Sequence, residues 1–410
     1  MPAVPISPKS LRDYAKIVGE EVVEHAFDLG RKLKGARLLH INATAFGGGV
    51  AELLYTLVPL MRDVGLDAEW KTIEGGDDFF TITKLIHNGL QGMDLLLTPQ
   101  MKEIYLSQNE VNASRLSSEY DFVIVHDPQP LALRSFLDRK PKGRWIWRCH
   151  IDTTCANRQL WDFLIPYIKG YDATIFTRRE YVGAGLESVP ISVIAPSIDP
   201  LSPKNQTIEH DVIHTVVGKY NVDRRRPFLL QVSRFDPWKD PLGVIDVYRM
   251  AKEKVPELQL VMLASMASDD PEGWHYYEKT ARHAEGDPDV HMLTNMEGIG
   301  NLEVNAFQRA AGVVMQKSIR EGFGLVVTEA LWKQKAVVAS PVGGIVLQIV
   351  NNETGFLVSS TEESAEKIVY LLQNPEVAAR VGEAGLEYIR HKFLSPRNLT
   401  DYLQLLVDLS

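Results

Sequence analysis

The feature that most constrains this chain is an alternation of short apolar strands and longer helical stretches, interrupted once. Before the interruption, strand-like runs occur at 36–43, 67–73, 121–128, 144–152 and 172–177. After it they resume at 226–235, 258–265, 289–293, 311–318 and 335–340. Several are continuous runs such as "DFVIVHDP", which suit parallel strands buried on both faces. The intervening segments carry helical patterns, notably 8–34, 48–65, 241–255, 272–285 and 324–333, and 361–410 reads as almost wholly helical. The interruption, "DPLSPKNQTIEHD" at 199–211, is polar with two prolines and reads as a linker. Strand–helix alternation on both sides of a linker predicts two doubly wound α/β domains.

The totals agree with that division. A chain of 410 residues with 45% apolar content exceeds one ordinary core. A net charge of −9 excludes a general nucleic-acid binder, which would carry a basic excess. Two cysteines, Cys149 and Cys155, fit neither a disulfide framework nor a zinc pattern and read as ordinary thiols. The N-terminal "MPAVPISPKS" lacks the apolar centre of a signal peptide, and no run reaches the length of a membrane span. A cytoplasmic protein without a membrane partner is expected.

Strand ends carry the candidate chemistry, because ligands of doubly wound sheets bind beyond the carboxyl ends of the strands. "NATAFGGGVAEL" at 42–53 follows the first strand and opens a helix. Its glycines permit close backbone approach to a phosphate or a sugar hydroxyl, although a tight turn with no ligand would look the same. Glu52 stands where a dinucleotide fingerprint needs glycine, and the Gly-Lys-Ser/Thr of a P-loop is absent. In the second half, "LLQVSRFDPWKDP" at 229–241 puts Arg234 and Lys239 after a strand, placed for a diphosphate or paired with Asp236 and Asp240 in a solvated turn.

"SIREGFGLVVTEALW" then sets Glu321 and Glu329 on either side of a glycine turn and a helix start. A glycosidase pair needs both carboxylates to face one bond. Here Glu329 lies more than a helical turn past the glycine turn, so the two address different parts of one long ligand. The backbone N–H groups of Gly322, Phe323, Gly324 and Leu325 lie between them and suit hydroxyls or phosphate. A long, hydroxyl-rich, anionic molecule such as a sugar nucleotide matches this arrangement.

Taken together, "EGFGLVVTEA" resembles the E-x7-E signature of retaining glycosyltransferases built from two facing Rossmann-like domains, the GT-B type. "VSRFDPWKD" is similar to the Arg-x4-Lys element of that family, and "FGGGVAELL" to its N-terminal glycine loop. Within the family, "HINATAFGGGVAELL", "VIVHDPQPL" and "WRCHIDTT" most resemble trehalose glycosyl-transferring synthases and trehalose phosphorylases.

The resemblance implies an acceptor domain at 1–200, a donor domain at 205–389, a cleft between them that closes in catalysis, and a last helix at 390–410 returning to the first domain. It implies that Arg234 and Lys239 bind the diphosphate and stabilise the leaving group. Glu321 and the backbone of 323–325 hold the donor sugar, and Glu329 accepts from the ribose. Gly48 and Gly49 approach the diphosphate or acceptor, His150 sits near the transferring carbon, and Asp127 and Gln129 bind the acceptor. Backbone near 264–268 and 295–301 contacts the base.

The implied reaction moves glucose from a nucleoside diphosphate glucose to glucose, giving trehalose with retention. The partners are sugars and nucleotide sugars; no cofactor is tightly bound, Mg2+ is admitted as an activator, and a homodimer is compatible with the chain. Alternatives are a trehalose phosphorylase using glucose 1-phosphate, a related transferase with another acceptor, a nicotinamide oxidoreductase and a non-catalytic sugar binder. Outside the family context His126 and His150 read as satisfied strand-end histidines, and Asp127 as the start of a turn before Pro128. Trp145, Trp147 and Trp161 read as core, 224–226 as a solvated turn, and the acidic pair at 269–270 as no metal site.

Overall fold

The computed structural model describes residues 1–116, 119–137, 141–266 and 271–410. The chain folds as two compact units, Met1–Ser197 with Ser395–Ser410, and Ile198–Leu394. Each is built on its own six-stranded sheet, and every strand pairing within both sheets is parallel.

The first unit contains β1 (Arg37–Asn42), β2 (Asp67–Thr72), β3 (Phe122–His126), β4 (Arg144–Cys149), β5 (Ala173–Phe176) and β6 (Ile191–Val193). Their order is β2-β1-β3-β4-β5-β6, so the winding reverses between β1 and β3. Alternate residues of β1 serve opposite faces. Leu38 packs with the helices Glu20–Lys32 and Gly49–Asp63, while Leu39 and Ile41 face Phe79, Tyr105 and Leu160 on the other side. Trp145, Trp147 and Trp161 all lie in this second apolar layer, as expected of core residues.

The last helix, Ser395–Leu409, closes the first layer by packing on Glu20–Lys32. Its Leu399, Tyr402, Leu403 and Leu406 are wholly buried there. The Arg397 guanidinium ties its first turn to the carbonyls of Ala195 and Pro196. The expected return of the final helix to the first half of the chain is therefore found.

The second unit contains β7 (Phe228–Val232), β8 (Gln259–Ala264), β9 (Val290–Thr294), β10 (Val313–Gln316), β11 (Val337–Ala339) and β12 (Phe356–Leu357). The order is β12-β11-β10-β7-β8-β9, with its reversal between β7 and β10. One face carries the helices Pro241–Lys252 and Thr361–Gln373 over Leu229, Leu260, Val313 and Val338. The linker expected at 199–211 is a correction: its first part is folded into this unit. Asn205 is fully buried, donates to the Asp199 carbonyl, and accepts from Lys333; Asn305 donates to the Pro203 and Gln206 carbonyls. Its last residues, from His210, begin the helix His210–Gly218. The acidic pair at 269–270, with 267–268, lies outside the described residues. No helix among the described residues is long and apolar enough to cross a membrane.

The buried face of the final helix gives a direct test. Leu403→Ala removes three heavy atoms' worth of contact from a site with 0% exposure, and should cost about 2–5 kcal/mol, read as a lowered urea midpoint. A change under about 0.5 kcal/mol, the size of an ordinary surface substitution, would mean that the helix is not docked there.

Candidate active site

In each unit the sequence-derived residues gather at the carboxyl ends of the strands that flank the reversal of winding. There the two neighbouring loops leave in opposite directions and open a crevice beyond the sheet edge. In the second unit these are the loops after β7 and β10. In the first they are the loops after β1 and β3, joined by the one after β4.

The loop after β7 runs through Arg234 into a short 3-10 turn, Pro237–Lys239. The Asp236 side chain caps that turn by accepting from Trp238 N–H at 3.0 Å. Asp240 then caps the helix Pro241–Lys252 and pairs with Lys317 after β10. A backbone bond from Ile319 N–H to the Trp238 carbonyl, 2.7 Å, binds the two loops together. Gln231, buried at the end of β7, spans them as well. It donates to the Lys239 carbonyl at 3.1 Å and accepts from Lys317 N–H at 3.1 Å.

On this frame the Lys239 ammonium meets Glu321 Oε2 at 2.6 Å, and Ser318 Oγ donates to the same oxygen at 3.2 Å. Both charged side chains are only slightly exposed, 16% and 12%. Arg234 is different. Its side chain is 59% exposed while it pairs with buried Asp236 at 3.1 Å. The cluster thus offers one cation held by a carboxylate beside a second that faces solvent.

The turn after Glu321 is shaped by Gly324, which enters the helix Leu325–Trp332 at φ +85°. A Cβ there would also press Glu321 Cγ at 3.1 Å, so only glycine fits without strain. Buried Gln348 holds the turn from behind, donating to the Phe323 carbonyl and accepting from Thr328 Oγ1. Gly322, Phe323, Gly324 and Leu325 thereby stay together at the helix start.

Glu329 lies apart from this cluster, fully buried on the same helix. Lys204 Nζ meets its Oε1 at 2.7 Å, and Gln308 donates to its Oε2 at 3.2 Å. Lys333 bridges Gln308, Asn205 and the Glu329 carbonyl at 2.6–3.3 Å. Burial pushes the Glu329 carboxyl up, but the charges of Lys204 and Lys333 and the bonds from Lys204 and Gln308 outweigh it. The net result is a carboxyl held below its ordinary value.

In the first unit, Gly47 and Gly48 turn at φ +71° and +81° before the helix Gly49–Asp63. A Cβ on Gly48 would meet open space, so conformation rather than crowding calls for glycine. Asp127, after β3, also takes a left-handed conformation, φ +63°. Its Oδ1 accepts from His150 N–H at 2.8 Å, and its carbonyl from Trp147 Nε1 at 2.9 Å. Burial is the main cause of an Asp127 carboxyl pushed up to about 6, against the His150 bond and the Arg148 charge. Gln129 follows, its carbonyl accepting from Asn109. His126 and His150 are not separate strand-end histidines. With His40 they form one chain, His40 Nδ1 to His126 Nε2 at 2.9 Å and His126 Nδ1 to His150 Nε2 at 3.0 Å.

Comparison with known proteins assigns the chain to a family. Residues 40–183 match the family described as trehalose synthase, N-terminal domain, and 214–388 match glycosyl transferases group 1. A trehalose synthase of Rubrobacter xylanophilus is 54% identical over 405 residues, covering 98% of this chain and 97% of that one. This chain belongs to the trehalose synthase family. It is a glycosyltransferase of trehalose chemistry. More distantly, a trehalose phosphorylase of Pleurotus pulmonarius is 25% identical over 87% of this chain and 54% of its own. A solved Burkholderia xenovorans protein, an α,α-trehalose-phosphate synthase (UDP-forming) in complex with glucose-6-phosphate, aligns with TM-score 0.72 at 13% identity. The alignment covers 90% of this chain and 99% of that one, and places the fold in the GT-B class.

Motif reading in this family finds the strand-end loops but not the residues that brace them. Gln231, Gln308, Gln348 and Lys204 carry no pattern of their own, and only the fold brings them to the site. Cys149 is buried and Cys155 exposed, both as free thiols. Among the described residues no group of three or more His, Cys, Asp or Glu could hold a metal ion.

The Glu329 pair makes pH an observable. Because the native carboxyl lies below its ordinary value, the pair's stabilisation is present above the unfolded value and fades as pH falls through the native one. Lys204→Met leaves Glu329 buried without its nearest cation. It should cost about 3–5 kcal/mol at pH 7, and shrink or reverse the Glu329 share of the acid loss of stability, because burial then lifts the native carboxyl towards or above its unfolded value. Urea midpoints from pH 3 to 8 test this; superimposable profiles for the two proteins would reject the pairing.

Proposed function

We propose that this chain is a retaining glucosyltransferase that moves glucose from a nucleoside diphosphate glucose to glucose, forming trehalose reversibly. The observation that carries the reading is the Lys239–Glu321 pair at the reversal point of the second sheet, with Arg234 exposed on the same loop. The cation suits a departing phosphate, and the carboxylate suits the hydroxyls of the sugar being transferred.

In this scheme the bond between the anomeric carbon and the phosphate oxygen breaks as the acceptor oxygen bonds to the same face of that carbon. The acceptor's hydroxyl proton passes to the departing phosphate oxygen. Arg234 and Lys239 stabilise the charge that develops on the diphosphate. Glu321 and the N–H groups of 322–325 orient the donor sugar. In the first unit, Gly48 and Gly49 approach the diphosphate or the acceptor, while Asp127, Gln129 and His150 serve the acceptor and the transferring carbon. His150 is placed for this by the Asp127 carboxylate that holds its N–H. A Mg2+ ion, where it activates, would travel with the diphosphate.

Glu329 needs a further step in this scheme. Both of its oxygens already face protein donors, Lys204 and Gln308. For ribose hydroxyls to reach them, Lys204 must withdraw, so donor binding would be coupled to the 199–206 segment. The same observation favours a second reading. A trehalose phosphorylase binds no ribose, and a sealed Glu329 would then be purely structural. Incubation of trehalose with phosphate, and separately with ADP or UDP, distinguishes the two by which glucose derivative appears.

Lys239→Ala should lower kcat by roughly 10²-fold, the scale of losing one preorganised charge stabiliser. Turnover within threefold of the parent enzyme would remove Lys239 from the leaving-group role. The product of nucleoside diphosphate glucose and glucose should be the α,α-linked disaccharide by NMR; an inverted linkage would exclude retention.

A further inference from the structure

We infer that Met61, His40 and His126 fix the tautomer of His150, so that His150 offers an unprotonated Nδ1 and takes a hydroxyl as its ligand rather than a phosphate or carboxylate. The inference extends the acceptor-side role proposed for His150.

The sheet itself brings the rings together. His40 on β1 pairs in register with Ile124, two residues before His126 on β3. His126 pairs with Arg148 on β4, two residues before His150. Each step moves one strand across and two residues along, which keeps all three side chains on one face. The rings stack at 5.2 and 5.3 Å between centroids, with interplanar angles of 25° and 17°.

A neutral imidazole has one N–H and one bare nitrogen. Burial keeps these rings neutral. The His40 pKa is lowered to about 3, and those of His126 and His150 well below the ordinary value, burial being the largest cause in each case. Each contact between two rings therefore needs one donor and one acceptor. Choosing the donor at one contact sets the next, because the remaining nitrogen of every ring must play the opposite part. The chain as a whole has two states: every ring protonated at Nε2, or every ring protonated at Nδ1.

Met61 decides between them. Its Sδ lies 3.4 Å from His40 Nε2, on the helix Gly49–Asp63, and is fully buried. A thioether sulfur accepts weakly and cannot donate. With His40 protonated at Nε2 the contact is N–H to sulfur. In the other state two lone pairs face each other in a buried place. The Nε2–H state is selected, so His40 donates to Met61, His126 to His40, and His150 to His126.

The chain ends at His150 Nδ1, which must be bare. His150 is partly exposed, and among the described residues no protein group bonds to that nitrogen. A sugar hydroxyl can donate to it. A phosphate or carboxylate oxygen would meet it lone pair to lone pair. Met61, His40 and His126 are positioning residues in this account, since none needs to touch the substrate.

Protein labelled with 15N-histidine, with His150 assigned by comparison with His150→Asn, tests this without any substrate. One- and two-bond proton–nitrogen correlations at pH 7 should show His150 protonated at Nε2 only. In Met61→Leu, which nearly preserves volume, the Nδ1–H form should appear. Glucosyl transfer should then fall roughly threefold to tenfold in kcat, the scale of one misdirected hydrogen bond, with the donor KM unchanged. A parent enzyme with His150 protonated at Nδ1, or as imidazolium, overturns the inference. So does Met61→Leu with the parental tautomer. Should that variant fail to fold, the spectrum of the parent enzyme decides alone. A different donor or acceptor emerging from activity assays would unseat the proposed reaction but leave the tautomer result standing.

Discussion

A parallel strand delivers every loop that follows it to the same edge of its sheet, and the winding must reverse somewhere for helices to cover both faces. At that reversal, adjacent loops diverge and the sheet edge is left open to a ligand. Each unit of this protein has one such place, between β1 and β3 in the first and between β7 and β10 in the second. The glycine turn, Asp127, Arg234, Lys239 and Glu321 all follow the strands that bound these two openings. Within each unit, the gathering of these residues is a property of strand order before it is a property of side chains.

The charged groups at the second opening fall into two regimes. Lys239 and Glu321 sit near the surface in contact with Ser318, where water still screens part of their interaction. Glu329 and Lys204 lie deeper, and their attraction works against a large desolvation cost that neighbouring Gln308 and Lys333 help to offset. The first pair can be exchanged for a ligand at small cost. The second cannot be broken without leaving a buried charge uncompensated, which is why it reads as a brace as readily as a binding group.

Much of this was legible in the chain. Ten of the strands announce themselves as apolar runs, and Arg234, Lys239, Glu321 and Glu329 stand at spacings that survive in any fold holding the two motifs. The short β6 and β12, with three and two residues, carry too little periodicity to be seen. The partner of Glu329 was hidden because Lys204 lies 125 positions away, in a proline-containing stretch that looks like a tether. The histidine chain was invisible for another reason. It depends on strand register across β1, β3 and β4, and register is set by the packing of whole sheets rather than by any local pattern. His126 and His150 taken singly are ordinary strand-end residues, and His40 attracts no notice at all.

The contact between Lys239 and Glu321 has one consequence for how the protein meets its surroundings. Its ammonium is already neutralised at rest, so a passing chloride or sulfate finds no bare charge there and gains little by entering. A visitor must bring hydroxyls to console the carboxylate as well as oxygens to satisfy the cation. On the proposed function, a sugar phosphate is thereby favoured at Lys239 over the simple salts of the medium, before any specific shape is recognised.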